Sequence, residues 1–308
     1  MRIVIMGTGG VGGYFGARLA QGGADVTFVA RGAHLAAIRA HGLTVESTQQ
    51  PIHLQNVKVT DDPATIGPVD LVMFGVKLWD TEAAARALAP VMGPQTALIS
   101  FQNGVQKDDL LRPVVGDAAL AGGVAYVAAT VARPGVIAQT GAMQRLVFGE
   151  FDGRRSARME AFHAACVAGG INAEISGDIR RAIWEKFVFL AALSGATAAI
   201  RLPVGPIRAN PATRQLLRDL LQEVVAVGRA HGVALPEDYA MQRLAFIDTL
   251  SPDMTASMHH DLAAGRRLEL AWLSGGVVEL GEAVGVPAPV HRVVRDVLLL
   301  HADGRTEG

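Results

Sequence analysis

Met1-Arg2-Ile3-Val4-Ile5-Met6-Gly7-Thr8-Gly9-Gly10-Val11-Gly12 opens the chain with a short apolar run and a cluster of glycines. Arg2–Met6, apolar from Ile3 onward and followed by glycines, reads as a strand buried on both faces of a parallel sheet. Gly7, Gly9 and Gly12 follow in G-x-G-x-x-G spacing, and helical period continues through Ala20. A strand, a glycine turn and a helix in that order put helix amides at the end of the strand, where they can meet a diphosphate. Gly7 permits the tight turn, Gly9 the approach of phosphate to backbone, and Gly12 close packing of helix on strand, with Gly10 in the same cofactor-binding loop.

Outward from this stretch, strand-like and helix-like patterns alternate through about residue 150. Asp25–Ala30 is a second strand, and Leu43–Ser47 starts a strand-rich insertion that continues through His53–Val59. Leu71–Val76 and Ala97–Phe101 are buried strands, with a helix over Glu82–Ala89 between them. Val124–Val131, Gly135–Gln139 and Arg145–Gly149 are further strands, with turns at Arg133-Pro134-Gly135 and Thr140-Gly141. Such alternation predicts an α/β fold, a doubly wound Rossmann-type sheet. Ala157–Ala168 is helical and Ala173–Ile175 a short strand; beyond Gly177 nearly everything has helical period. Gly205, Pro206 and Pro211 separate one long helix from the next, His231-Gly232 ends the second, Pro252 marks a helix start, and Gly285 to Pro289 divides the last two. The expected domains are 1–176, which binds the nucleotide, and an all-α domain over 177–308, with the boundary near Ser176. Apolar helices in the second domain suit internal packing or a homodimer surface, and the sequence does not choose between them.

Of the 308 residues, half are hydrophobic and 19% charged, and the net charge is −1. This balance gives no electrostatic reason to expect nucleic acid or an acidic membrane as partner. One cysteine, Cys166, excludes an internal disulfide and any zinc site built on several thiolates. The opening apolar run is too short for the core of a signal peptide. The longest apolar stretch, Phe187 to Ile200, has 14 residues, against the roughly 20 a membrane span needs. A cytoplasmic protein is expected.

The end of the second strand selects the nucleotide. An enzyme using NAD normally carries Asp or Glu there for the ribose hydroxyls. Here Arg31 follows Val26–Ala30, and Asp25 lies at the wrong end. A guanidinium that can fork onto a phosphate points to NADPH; the alternative is a solvated loop arginine. Lys77, after Leu71–Val76, lies at the sheet edge where ligands bind and is placed to assist with the same phosphate, or is a surface charge.

Taken together, Gly7–Gly12 with Arg31, Val76-Lys77, Gln102-Asn103-Gly104, Trp184-Glu185-Lys186, Ser257-Met258 and Glu269 resemble the ketopantoate reductases (2-dehydropantoate 2-reductases) over essentially the whole chain. Ser257 and Glu269 stand twelve positions apart, as in that family. The resemblance implies NADPH-dependent reduction of a small 2-oxo acid, with pantoate as product, in pantothenate and coenzyme A synthesis. It implies Lys186 as the general acid and Asn103 as a holder of substrate and nicotinamide. Ser257 would bind the substrate carboxylate, and Glu269 would accept from a substrate hydroxyl and position Lys186.

The chemistry is coherent without the family. Hydride addition builds negative charge on the carbonyl oxygen, and a lysine can both offset that charge and deliver a proton. Lys186 is the only lysine in the second half and precedes the apolar run Phe187–Leu193. Arginine, the other base there, cannot release a proton at useful pH. Against these roles stand plainer ones. Lys186 could be a helix residue snorkelling beside Glu185, Glu269 part of an exposed helical charge face after Arg266 and Arg267, and Ser257 a helix cap. On one straight helix, Ser257 and Glu269 would lie roughly 120° apart in rotation. Adjacent His259 and His260 diverge on a helix, and no carboxylate cluster completes a metal site there.

The family's asparagines one and two turns beyond the lysine are Leu190 and Ser194 here, and another, three residues before the serine, is Met254. A site with fewer hydrogen-bond partners discriminates less against substrates lacking a hydroxyl. Three readings follow: a ketopantoate reductase, a related reductase or hydroxy-acid dehydrogenase acting on a less polar 2-oxo acid, and a protein that senses NADP(H) without turnover.

Overall fold

A computed structural model describes residues 1–305. The chain forms two compact units, residues 1–103 with 107–182 and residues 104–106 with 183 onward. The division at Ala182/Ile183 falls later than the change of pattern near Ser176, because the first turn of a long helix starting at Ile179 is counted with the first unit.

The first unit contains β1 (Arg2–Met6), α1 (Gly10–Gln21), β2 (Asp25–Val29), α2 (Gly32–His41), β3 (Leu43–Ser47), β4 (Ile52–Leu54), β5 (Lys58–Thr60) and β6 (Val69–Phe74). It continues with α3 (Thr81–Ala87), β7 (Met92–Ser100), α4 (Lys107–Val115), β8 (Leu120–Arg133), β9 (Val136–Gly149), α5 (Ala157–Ala168) and β10 (Asn172–Ile175). The strands make one ten-stranded sheet in the order β4-β3-β9-β8-β7-β6-β1-β2-β5, with β10 paired to β9. From β5 to β8 every pairing is parallel, whereas β8–β9 and β3–β4 are antiparallel. Alternate residues of β1 feed opposite faces. Ile3 and Ile5 pack in a core with α1, α2 and α5, and Val4 and Met6 in a second core with α3 and α4. Both faces are thus covered by helices, which is why β1 reads as an uninterrupted apolar run. Cys166 is buried on α5, and desolvation pushes its thiol up to about 12, so it is chemically quiet.

Two local expectations are corrected in these elements and those that follow. Thr140-Gly141 is not a turn: β9 runs through it, and pairing with β8 slips from Val127↔Gln144 to Ala128↔Thr140, a bulge in which Gly141 takes a positive φ. Gln139 holds the bulge by donating from Nε2 to the Gly141 carbonyl at 2.6 Å. Two helices, α2 and α4, lack a clear pattern. The former buries only Leu35 and Ile38, while the latter contains Pro113 and buries the charged Lys107 and Asp108.

The second unit is helical: most of α6 (Ile179–Ile200), then α7 (Val204–Ala209), α8 (Pro211–Ala230), α9 (Tyr239–Asp248), α10 (Ser257–Ala263), α11 (Ser274–Ala283) and α12 (Pro289–Leu298). Gly205 and Pro206 lie, as expected, between the long helices α6 and α8, where they form the first turn of the short α7, a position at which proline is tolerated. Pro252 does not start a helix. The carbonyls of Pro252 and Met254 accept from the amides of Gly205 and Val204 at 2.8 and 2.9 Å, and Pro252 and Asp253 lie in a turn closed by the Met254 amide on the Ser251 carbonyl at 3.0 Å, so that the next helix starts only at Ser257. α6 is long and apolar enough to cross a membrane, but 67% of its most apolar window is buried, as in a core helix.

At the centre of this unit His291 is fully buried at the start of α12. Its Nε2 donates to the Leu220 carbonyl at 3.1 Å, and Glu223 accepts from the amides of Val290 and His291 at 2.8 and 2.9 Å. Desolvation pushes the imidazole from 6.5 down to about 4. Between those values the unfolded chain binds a proton that the folded chain refuses, so stability falls as pH drops through this window, by about 3 kcal/mol in all. Urea unfolding of wild type and His291→Gln should show that the variant lacks this contribution between pH 6.5 and 4; parallel pH curves would contradict it.

Candidate active site

Strand register places the sequence-selected residues of the first unit. Met6 pairs with Val29 on one side and Phe74 on the other, and Phe74 pairs with Ser100. The segments after these four ends therefore lie in one row at the carboxyl edge: Gly7 onward, Ala30-Arg31, Gly75-Val76-Lys77 and Phe101-Gln102-Asn103. The chain leaves β1 for β2 on one side, and β6 lies on the other. Such a switch in strand order opens a crevice at this edge.

Within the row the glycines have different surroundings. Gly7 has φ +99°, and a Cβ there would sit 2.8 Å from the Val76 amide nitrogen. A Cβ on Gly12 would sit 2.1 Å from the Gly7 carbonyl oxygen, and one on Gly10 would sit 2.0 Å from that of Ala129. Gly9 alone has nothing within 4 Å of its would-be Cβ, and it caps α1, whose first turn has no acidic residue. Helix amides facing open space without a competing carboxylate fit the diphosphate of a dinucleotide.

Arg31 is exposed at the N-cap of α2 in extended backbone (φ −134°), with no side-chain capping bond. Lys77 is exposed, its Nζ 5.5 Å from the Trp79 ring centroid, and Asn103 is half-buried. Asp25 lies at the opposite edge, paired with Arg2 in the register, and donation from Lys58 at 2.6 Å holds its carboxyl below the usual range. The residue just beyond the end of β2, Arg31, is thus an arginine and not a carboxylate. One neighbour of the glycine turn carried no signal in the sequence. His34 of α2 accepts from the Gly135 amide at Nδ1 (3.0 Å), and burial lowers its pKa.

In the second unit Lys186 is half-buried on α6. Trp184 beside it anchors the helix. It stacks edge-on against Phe187 at 5.7 Å and abuts Gly228 of α8, where a Cβ would meet its ring at 2.8 Å. Leu190 (half-buried) and Ser194 (fully buried, its hydroxyl without a hydrogen-bond partner) follow Lys186 at four-residue spacing on the same face. Ser257 is exposed as the first residue of α10. Ala256 is the N-cap there, so the cap alternative for Ser257 does not hold. His259 of α10 bonds the Thr197 carbonyl of α6 at 2.9 Å, which fixes this helix on α6.

Glu269 is only 6% exposed, so it is not part of a solvated charge face. It is also not on the helix of Ser257. α10 ends at Ala263, Gly265 turns with φ +66°, and Glu269 sits in the non-helical segment before α11. The rotation expected of one straight helix therefore does not apply to the two. Among the described residues no group of three or more His, Cys, Asp or Glu could hold a metal ion.

Residues 3–153 match the family described as "Ketopantoate reductase PanE/ApbA", and residues 178–301 match its C-terminal domain. The chain is 31% identical to the "Uncharacterized oxidoreductase YkpB" of Bacillus subtilis, covering 96% of each. It is 32% identical to a 2-dehydropantoate 2-reductase of Mesorhizobium japonicum, covering 94% of each. Among solved structures, the PanE/ApbA family ketopantoate reductase from Ralstonia eutropha JMP134 superposes with a TM-score of 0.89 at 34% identity over 98% of both chains. The chain belongs to the ketopantoate reductase family, oxidoreductases of the 2-dehydropantoate 2-reductase type that act on CH–OH groups with a nicotinamide cofactor.

Proposed function

We propose that the protein reduces the keto group of a 2-oxo acid with NADPH in the cytoplasm, 2-dehydropantoate giving pantoate for pantothenate and coenzyme A synthesis being the first candidate. The observation that carries this is the row at one sheet edge: Gly7, Gly9, Gly10 and Gly12 for the diphosphate, Arg31 and Lys77 for an extra phosphate, and Asn103 at its far end. Bound NADPH supplies a hydride to the carbonyl carbon. Lys186 holds the proton that the carbonyl oxygen takes, so the ammonium both offsets the developing charge and completes the alcohol. Its amine then recovers a proton from water. Asn103 orients the substrate, Ser257 donates to its carboxylate, and the Glu269 carboxylate accepts from a substrate hydroxyl and keeps Lys186 in place. Family membership as an oxidoreductase leaves the non-catalytic reading without support.

A second reading concerns the substrate. Leu190, Ser194 and Met254 occupy places where the family carries asparagines, and Leu190 and Met254 offer no hydrogen bond to a hydroxylated compound. A site that hydrogen-bonds a substrate hydroxyl can reject an analogue lacking it by about 10⁴, while an apolar one separates such pairs by on the order of a hundredfold or less. Steady-state kcat/KM for ketopantoate and for 2-oxoisovalerate decides between them. Values within about tenfold, or favouring 2-oxoisovalerate, are expected of the less polar reading; a preference for ketopantoate near 10⁴ would contradict it and restore the first candidate.

A further inference from the structure

Gln102 stands in the Gln102-Asn103-Gly104 landmark, but neither the chemistry nor the family resemblance set out above gives it a role. It is buried, and every polar group of its side chain is engaged. Nε2 donates to the Val76 carbonyl at 2.9 Å and to Thr81 Oγ1 at 2.8 Å, while Oε1 accepts from Ser100 Oγ at 3.0 Å. The orientation of the amide is forced. A carbonyl can only accept, and the Thr81 hydroxyl already spends its proton on the Leu78 carbonyl at 2.8 Å, so both must face the NH₂ end. Behind it, Lys107 is 1% exposed and donates to the Ser100 carbonyl at 2.7 Å, which anchors the strand end that carries Gln102.

The two segments joined by this amide are those that bear Lys77 and Asn103, each one residue beyond a bonded group. The Val76 amide nitrogen also closes on Gly7, where a Cβ would stand 2.8 Å away. We propose that Gln102 is a positioning residue: it clamps the 75–77 segment to the 101–103 segment and so sets the spacing between the phosphate-side lysine and the nicotinamide-side asparagine. This rests on the cofactor reading above.

The test uses Gln102→Met, which keeps length and removes both donors together with the carbonyl acceptor, and Gln102→Glu, whose carboxylate faces the Val76 carbonyl when ionised and regains one O–H donor when protonated. NADPH affinity is read by fluorescence titration, turnover at saturating NADPH by absorbance, and folding by thermal melting. For Gln102→Met, loss of three buried hydrogen bonds, two of them the donations to Val76 and Thr81, should weaken NADPH by roughly tenfold and lower saturated turnover as well. The Gln102→Glu variant should be at least as impaired at pH 8 and recover both properties, relative to wild type, as pH falls toward 5. Wild-type affinity and turnover in a folded Gln102→Met protein would overturn the proposal. So would an effect on one property only, or losses that track melting temperature and show no recovery at low pH. If wild type itself fails to bind NADPH in the same titration, the cofactor reading fails and the clamp falls with it; binding by wild type with unchanged variants sinks the clamp alone.

Discussion

Lys186→Ala is expected to lower turnover by on the order of a hundredfold or more, the usual cost of losing a general acid, while NADPH affinity stays within about twofold of wild type. The separation follows from placement. Lys186 sits on α6, whereas the glycine turn, Arg31 and Lys77 all belong to the sheet edge of the other unit. The side chain is half-buried, its neighbours Trp184 and Phe187 supply the packing, and alanine is the best helix former, so the fold should persist. Lys186→Arg separates two contributions of the ammonium. It keeps the positive charge but cannot release a proton, and should stay within about tenfold of Lys186→Ala. Near-wild-type turnover in Lys186→Arg would mean that the charge, and not the proton, matters; near-wild-type turnover in Lys186→Ala would remove the residue from the chemistry altogether.

Arg31→Ala should weaken NADPH by roughly tenfold to a hundredfold, since hydrogen bonds to a charged group contribute about 1.5–3 kcal/mol. NADH, which lacks the extra phosphate, should bind within about twofold of its wild-type affinity. The side chain is exposed and makes no capping bond, so its removal has little structural cost. The same exposure means that salt should erode the preference for NADPH in wild type and leave Arg31→Ala nearly indifferent. Equal losses for the two nucleotides would take the phosphate role away from Arg31.

Much of this architecture was legible in the residues because the signals were local and strong. β1 and its glycines read as they fold, the end of β2 fell within a residue of its place, and α5 spans the predicted Ala157–Ala168. Legibility failed where tertiary contacts overrode local pattern. Thr140-Gly141 has turn chemistry, but strand β8 on one side turns it into a bulge. Pro252 looks like a helix start until the Gly205 amide of α7 claims its carbonyl. Lys107 and Asp108 argue for solvent by their charge, yet burial lowers the pKa of the lysine and raises that of the aspartate, and each ion is the other's partner at 3.3 Å. In the candidate site, residue identities were readable and their surroundings were not. Glu269 follows two arginines in sequence, and only the turn at Gly265 reveals that it leaves the helix and becomes buried.

Hydride transfer to the carbonyl carbon is the core of the account, and isotope transfer tests it most directly. NADPH deuterated at the transferable position of the nicotinamide, turned over with ketopantoate or 2-oxoisovalerate, should deliver one deuterium to C2 of the hydroxy acid, read by mass spectrometry. Hydroxy acid that carries no label while NADPH is consumed, or a protein that binds NADPH and forms no hydroxy acid from either compound, would contradict it.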